Sequence, residues 1–202
     1  MSLKCFVKVG LINNLSDARY CSGMNVNQLG YLLEENNKNS IDINTLKEIS
    51  AWISGTEIVG EFNNSTVEFI NNNVKKFPFD YIQVNYPLSI KKISYDINKI
   101  ILNIDLKKSI KPDEFFTDIF DNYNDISVIN INYLDNASQK LINNNHKKFK
   151  LLNGFNHSKI FINKMIKQNF FYGISLRGNN EIKPGYKDYS ILSEVFDFLD
   201  IS

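Results

Sequence analysis

The sequence predicts a single-domain (β/α)8 barrel over residues 1–202, on three observations: eight short apolar runs, amphipathic segments between them, and a length suited to one such barrel. The runs are rich in Val, Ile, Phe and Tyr. They fall at about 5–10, 27–33, 57–62, 80–85, 99–105, 126–132, 149–153 and 171–176, each bounded by polar turn residues. Apolar residues recur at three- and four-residue steps in Ile43–Ile53, Thr66–Val74, Asp113–Tyr123, Ala137–Asn144, Ser158–Met165 and Tyr189–Leu199, the pattern of helices with one buried face. Strands separated by a helix cannot pair as hairpins. They join by right-handed crossovers into a parallel sheet, and eight such units close into a barrel, with a doubly wound open sheet as the alternative. One α/β barrel takes roughly 200–250 residues. The chain has 202 residues and 43% hydrophobic content, enough for one core.

The elements justify themselves in order. The first run leads into Lys8–Ala18, which has the grammar of strand, loop and capped helix: Asn14 and Asp17 offer oxygens ahead of a helix at Ala18–Ser22. Ser40, Asp42 and Asn44 do the same ahead of Leu46–Trp52. Prolines 78, 87, 112 and 184 fall at element boundaries, as a residue without a backbone donor should. The asparagine triplets at 71–73 and 143–145 sit between periodic segments and read as helix ends and loops.

Composition narrows function by exclusion. The 23 basic and 22 acidic side chains leave a net charge of +1, which gives no footprint for nucleic acid or anionic lipid. Cys5 and Cys21 are too few for a disulfide framework, no run reaches membrane-spanning length, and the start lacks a secretory signal, so a reduced cytoplasmic protein is expected. There is no Gly-x-Gly-x-x-Gly, no phosphate-loop lysine motif, and no Cys-x-x-Cys or His-x-x-x-His spacing; no cofactor and no metal are expected. His146 and His157 lie in polar helix-edge contexts and read as surface residues.

In a barrel, side chains two apart on a strand share a direction, and those at the C-terminal strand ends line the ligand-binding mouth. That rule yields polar pairs on four strands: Gln83 with Asn85, Asn103 with Asp105, Asn130 with Asn132, and Ser175 with Arg177. Each residue taken alone also fits a solvated rim. Glu61 interrupts an apolar run at the expected mouth, its direction open. Two glycine loops follow the last strands: Asn153 and Gly154 after the seventh, Arg177 and Gly178 after the eighth. Barrel enzymes often seat a phosphate there, so these four residues are the candidate phosphate site.

The segments Lys8–Ala18, Lys150–Asn156 and Gly173–Asp188 together resemble phosphoribosylanthranilate isomerase, a TIM barrel of tryptophan biosynthesis. The resemblance implies an Amadori rearrangement of a phosphorylated aminoaldose to a ketose. It also implies that the family's Lys-x-Cys-Gly pattern, whose cysteine is the general base, has Gly10 at the cysteine position. The general-acid aspartate of the sixth strand is met by Asn130 or Asn132, the Gln-x-His signature by Gln83 and Asn85, and the arginine after the second strand by Asn39. Cys5 has the opposite strand parity to Lys8 and Gly10 and should face the helices. Losing both acid and base removes two groups that are typically worth roughly 10²–10⁴-fold each.

Glu61, Asp105 and Lys8 are the remaining proton-transfer candidates, with Gln83, Asn85, Asn103, Asn130 and Ser175 as ligand-binding residues. Three functions remain open: a diverged isomerase on a phosphorylated sugar-like metabolite, a barrel that binds such a metabolite without turnover, and a structural or partner-binding barrel whose mouth is filled by Tyr31, Tyr86 and Tyr172. The sequence does not set the oligomeric state.

Overall fold

The computed structural model describes residues 2–88, 90–105, 117–119, 121–123, 125–133, 148–178 and 188–201. Eight parallel strands close into a barrel in chain order. They are β1 (Phe6–Gly10), β2 (Gln28–Leu32), β3 (Glu57–Glu61), β4 (Tyr81–Asn85), β5 (Ile100–Asp105), β6 (Val128–Tyr133), β7 (Lys150–Asn153) and β8 (Gly173–Arg177). Closure is at the seam where β1 pairs with β8 in five register positions, Phe6 opposite Gly173 through Gly10 opposite Arg177. A ring of strands leaves no open edge, which removes the doubly wound alternative.

Helices α1 (Leu15–Gly23), α2 (Ile43–Ser50), α3 (Val67–Val74), α4 (Lys159–Gln168) and α5 (Ser190–Leu199) alternate with the strands. Short polar side chains start the first four. Asn14 accepts from the Asp17 N–H, Asp42 from Thr45, Thr66 from Phe69 and Ser158 from Phe161, each satisfying a helix-start donor that no carbonyl reaches. The first helix begins at Leu15, three residues before its expected start, because Asn14 and not Asp17 is the cap. The second ends at Ser50, short of Ile53, in a turn where Gly55 takes a φ of +77°. The helical pattern at Ala137–Asn144, residues 113–116 and 120 of that at Asp113–Tyr123, and the Asn179–Lys187 part of the segment after β8 lie outside the described residues.

The period-two alternation of the strands builds two cores. Val7, Val9, Leu29, Ile82, Val84, Ile174 and Leu176 face outward and pack with Ala18, Leu46, Ile70, Ile162 and Phe196 from the helices. Burying each such branched side chain stabilises by roughly 1.5–3 kcal/mol. Val59, Ile101, Val128 and Leu152, with Phe6 and Tyr81 against them, plug the barrel interior toward its N-terminal end. Above that plug the inward positions turn polar, and there the site begins.

Candidate functional site

A cavity of about 800 Å³ opens at the C-terminal mouth. Leu11 and Arg177 line it from the β1 and β8 ends, Asn85, Asn103, Asp105 and Asn132 from β4 to β6, Gly154 from beyond β7, and Glu34, Asn37, Asn39, Asn63 and Asn64 from the loops after β2 and β3. The paired residues share the inward side of their strands, and depth divides them. Asn85, Asn103, Asp105, Asn132 and Arg177 reach the cavity; Gln83, Asn130 and Ser175 sit buried beneath it. Between Ile104 and Asp105 the β5–β6 register shifts, so that Asp105 stands opposite Tyr133.

Lys8 and Glu61, in register with Ser175 and Gln83, are buried at the same level and lie together. The Lys8 ammonium donates to Glu61 Oε1 in an ion pair with side-chain exposures of only 1% and 4%. The second carboxylate oxygen, Oε2, accepts from the Leu11 N–H at 3.3 Å. Two glycines make room for this carboxylate. A Cβ at Gly10 would fall 2.5 Å from Glu61 Oε1, and one at Gly30 would collide with the same carboxylate and with Lys8 Nζ. Glu61 thus points inward and occupies the space that a side chain at Gly10 would take. Leu11, next along, adopts a φ of 59°, a left-handed conformation unusual for leucine, and its N–H is held by Glu61. Neither charged group of the pair lines the cavity.

The wall from β2 to β6 is a relay of amides. Asn64 donates its backbone and side-chain N–H groups to Glu34 Oε1, at 2.9 and 3.3 Å, and Asn37 donates to Glu34 Oε2 at 2.8 Å. Asn85 donates to Asn64 at 3.4 Å and Asn103 to Asn85 at 2.6 Å; Asn130 and Asn132 both donate to Asn103 Oδ1 at 2.8 Å. Gln83 donates to Asn63 at 2.9 Å. From Asn103 through Asn85 and Asn64 the donors lead toward the Glu34 carboxylate, while Asn130 also donates to Asn132 Oδ1 at 3.3 Å. Two buried acceptors, Gln83 Oε1 and Asn130 Oδ1, have no donor among the described residues.

The two glycine loops differ from the sequence expectation. The Gly154 N–H donates to the Ile131 carbonyl and the Gly178 N–H to the Gly10 carbonyl, both at 2.8 Å, so each extends a strand ladder and is not turned to a ligand. Asn153 is fully buried with the outward parity of β7. Its Oδ1 accepts from the N–H groups of Phe155 and Asn156, at 3.2 and 3.1 Å, while its Nδ2 donates to the Asn156 carbonyl at 2.6 Å. Asn153 builds the loop and does not face the cavity. Of the four candidate phosphate residues, Gly154 and Arg177 line the cavity, and Arg177 carries the charge.

The tyrosine plug is not formed as expected. Tyr31 is buried in the outer core and Tyr172 lies by a pocket at the N-terminal end with Cys5 and Phe6; of the three, Tyr86 lines the mouth. Cys5 packs against the outer core, as its parity required, and burial pushes its thiol up to about 11, away from any role as a base. His157, read as a surface residue, is half-buried in the loop after β7, where its Nε2 lies 3.4 Å from the Asn153 carbonyl. Burial lowers its pKa, against acceptor contacts with the Asn153 and Ser175 carbonyls that raise it. Reading the residue only by its polar neighbours missed that the loop folds back over it. His146 lies outside the described residues. Among the described residues, no His, Cys, Asp and Glu cluster could hold a metal ion, and no helix is long and apolar enough to cross a membrane.

No protein-family model and no curated protein sequence matches the chain. Solved structures do. Phosphoribosylanthranilate isomerase from Thermotoga maritima superposes with a TM-score of 0.71 at 17% identity, covering 96% of each chain. The enzyme from Thermus thermophilus gives 0.72 at 16% identity, over 96% of this chain and 98% of that one. A phosphoribosylanthranilate isomerase in complex with reduced 1-(o-carboxyphenylamino)-1-deoxyribulose 5-phosphate gives 0.71 at 19%, again over 96% of each. Over almost its whole length, this chain has the (β/α)8 barrel fold of the phosphoribosylanthranilate isomerases.

Proposed function

We propose that the chain is a diverged member of the phosphoribosylanthranilate isomerase family that binds a phosphorylated, sugar-like small molecule at its C-terminal mouth without catalysing the family's rearrangement. The observation that carries this reading is the pairing of Lys8 with Glu61 beneath the cavity, in the space above Gly10. In the family resemblance that position belongs to the general base. Here it is a glycine, and the carboxylate that fills it is already neutralised by a buried ammonium and an N–H donor. At the general-acid position Asn130 and Asn132 offer amides, which cannot donate a proton as an acid does. The cavity itself remains large, polar and open, and Arg177 at the β8 end supplies a fork for a phosphate. A solved neighbour of the same fold holds a phosphorylated ligand, which supports that class of ligand. Cytoplasmic location is part of the same reading.

Turnover is the second reading, and one residue favours it. Of the three proton-transfer candidates, Asp105 alone lines the cavity. A fluorescence progress curve with phosphoribosylanthranilate, run beside an authentic isomerase and a buffer blank, separates the two. A flat trace accompanied by saturable binding of a ribulose 5-phosphate derivative in calorimetry is expected. Turnover above blank that is abolished in Asp105→Asn would replace the binding reading with catalysis through Asp105, and absence of both binding and turnover would leave neither standing.

A further inference from the structure

We propose that the groove between α2 and α3, on the outside of the barrel, is a second binding site and takes a small apolar 2-hydroxy acid. Glu34 is the residue it shares with the mouth, and the inference stands whether or not the mouth holds a phosphate.

The groove has a volume of about 440 Å³, within the roughly 300–1,000 Å³ of small-molecule sites. Its walls come from the chain between Leu33 and Lys76, a stretch described without a gap. Both helices carry the same gradient into it. On α3 and the turn that follows, Phe69, Asn73 and Lys76 are spaced by four and then three and share one face; on α2, Ile43 and Lys47 are spaced by four. Helices that return between parallel strands run away from the mouth, so the groove passes from apolar side chains near the mouth to ammonium groups farther down. Of its apolar side chains, Ile41, Ile43 and Phe69 are only partly buried, and a ligand that covers them removes apolar surface from water.

Charge sets the other end of the ligand. The two acids of the groove stand at its mouth end and are engaged there: Asp42 accepts the Thr45 N–H as the cap of α2, which holds its carboxyl below the ordinary range, and both oxygens of Glu34 accept N–H groups from Asn64 and Asn37. Lys47 and Lys76 pair with no carboxylate among the described residues. An anion that enters between them meets two uncommitted cations.

Asn73 supplies the third contact. It is only 6% exposed, and its Nδ2 donates to the Phe69 carbonyl at 2.8 Å. Its Oδ1 accepts nothing from the described residues, yet it is not among the side-chain atoms sealed from solvent without a partner. An open acceptor between Phe69 and Lys76 calls for a donor between the hydrocarbon body of the ligand and its anion, which is where a 2-hydroxy acid carries its hydroxyl. An ammonium in that place would also donate, but it would face the two lysines as a like charge.

Calorimetry on the full chain with 3-phenyllactate, 3-phenylpropanoate and methyl 3-phenyllactate tests each contact. 3-Phenyllactate is expected to bind saturably and to shift the methyl resonances of Ile41 and Ile43 in NMR spectra. Loss of the hydroxyl should weaken binding about threefold or more, and esterification of the carboxylate about tenfold or more. Lys47→Gln together with Lys76→Gln should reduce 3-phenyllactate to the affinity of its ester, with an unchanged urea midpoint because both ammonium groups are exposed. Equal affinity of either analogue for the native protein overturns the inference. So does binding that leaves the Ile41 and Ile43 methyls unmoved, an unaltered affinity in the double lysine variant, or no binding of 3-phenyllactate at all.

Discussion

At the scale of single residues, the buried Lys8–Glu61 pair is the most constrained feature of the barrel. Two charges removed from water are tolerated only because each satisfies the other and Leu11 donates a further N–H. Glu61→Ala strands an ammonium in the barrel interior. A loss of about 3–5 kcal/mol is expected in urea unfolding, whereas the double replacement Lys8→Met with Glu61→Leu, which removes both charges, should recover most of it. A double variant as unstable as Glu61→Ala would show that the charges are not the source of the loss. Gly10 belongs to the same unit. Gly10→Ala puts a methyl 2.5 Å from Glu61 Oε1, so a cost of about 1–3 kcal/mol from overpacking is expected. The cost should fall when Glu61 is also shortened, and strictly additive effects of the two changes would contradict the shared space. A cysteine therefore cannot simply be restored at Gly10.

At the scale of elements, the loop after β7 is organised from within. Asn153 satisfies two N–H groups and one carbonyl of its own loop, so Asn153→Ala should cost about 1–3 kcal/mol through buried groups left unpaired. Unchanged urea midpoints would mean that water replaces the amide. The same loop covers His157, whose folded pKa is held below its ordinary value, chiefly by burial. The unfolded chain then takes up a proton near pH 6.5 before the folded chain does, so stability is full above that pH and falls as pH drops below it. His157→Gln should flatten that fall, and an identical pH profile in the variant would dismiss the burial effect. What the sequence made legible at this scale was parity. Apolar runs in period two located all eight strands and put Gln83 with Asn85 and Asn103 with Asp105 on common faces. Depth and hydrogen-bond commitment were not legible. They depend on the barrel's register, which alone decides that Asn130 lies beneath the cavity and Asn132 on it, and on contacts distant in sequence, such as Gly178 with Gly10 and Glu61 with Lys8.

At the scale of the whole molecule, the closed ring separates two ends with different chemistry. The N-terminal end is sealed by an apolar plug, and near it the Cys5 thiol stays protonated at neutral pH. The C-terminal end gathers polar side chains from six strands or the loops that follow them around one cavity. With a net charge of only +1, the protein offers little long-range attraction to an anion, so affinity for a phosphorylated ligand must come from local contacts. In the proposed reading that contact falls to Arg177, the cation that lines the mouth among the described residues. A charge-assisted hydrogen bond contributes roughly 1.5–3 kcal/mol, so Arg177→Ala is expected to weaken binding of ribitol 5-phosphate by about tenfold to a hundredfold in calorimetry. Raising the salt concentration should weaken binding to the native protein and change the variant little, because the screened interaction is the one removed. Arg177 is exposed and closes no core contact, so the unfolding midpoint should not move. Cys5→Ala, at the opposite end, should leave affinity unchanged. Equal affinity in the native protein and Arg177→Ala would move the phosphate away from β8 and deprive the mouth of its orientation, whereas equal losses in Arg177→Ala and Cys5→Ala would point to a general loosening of the barrel.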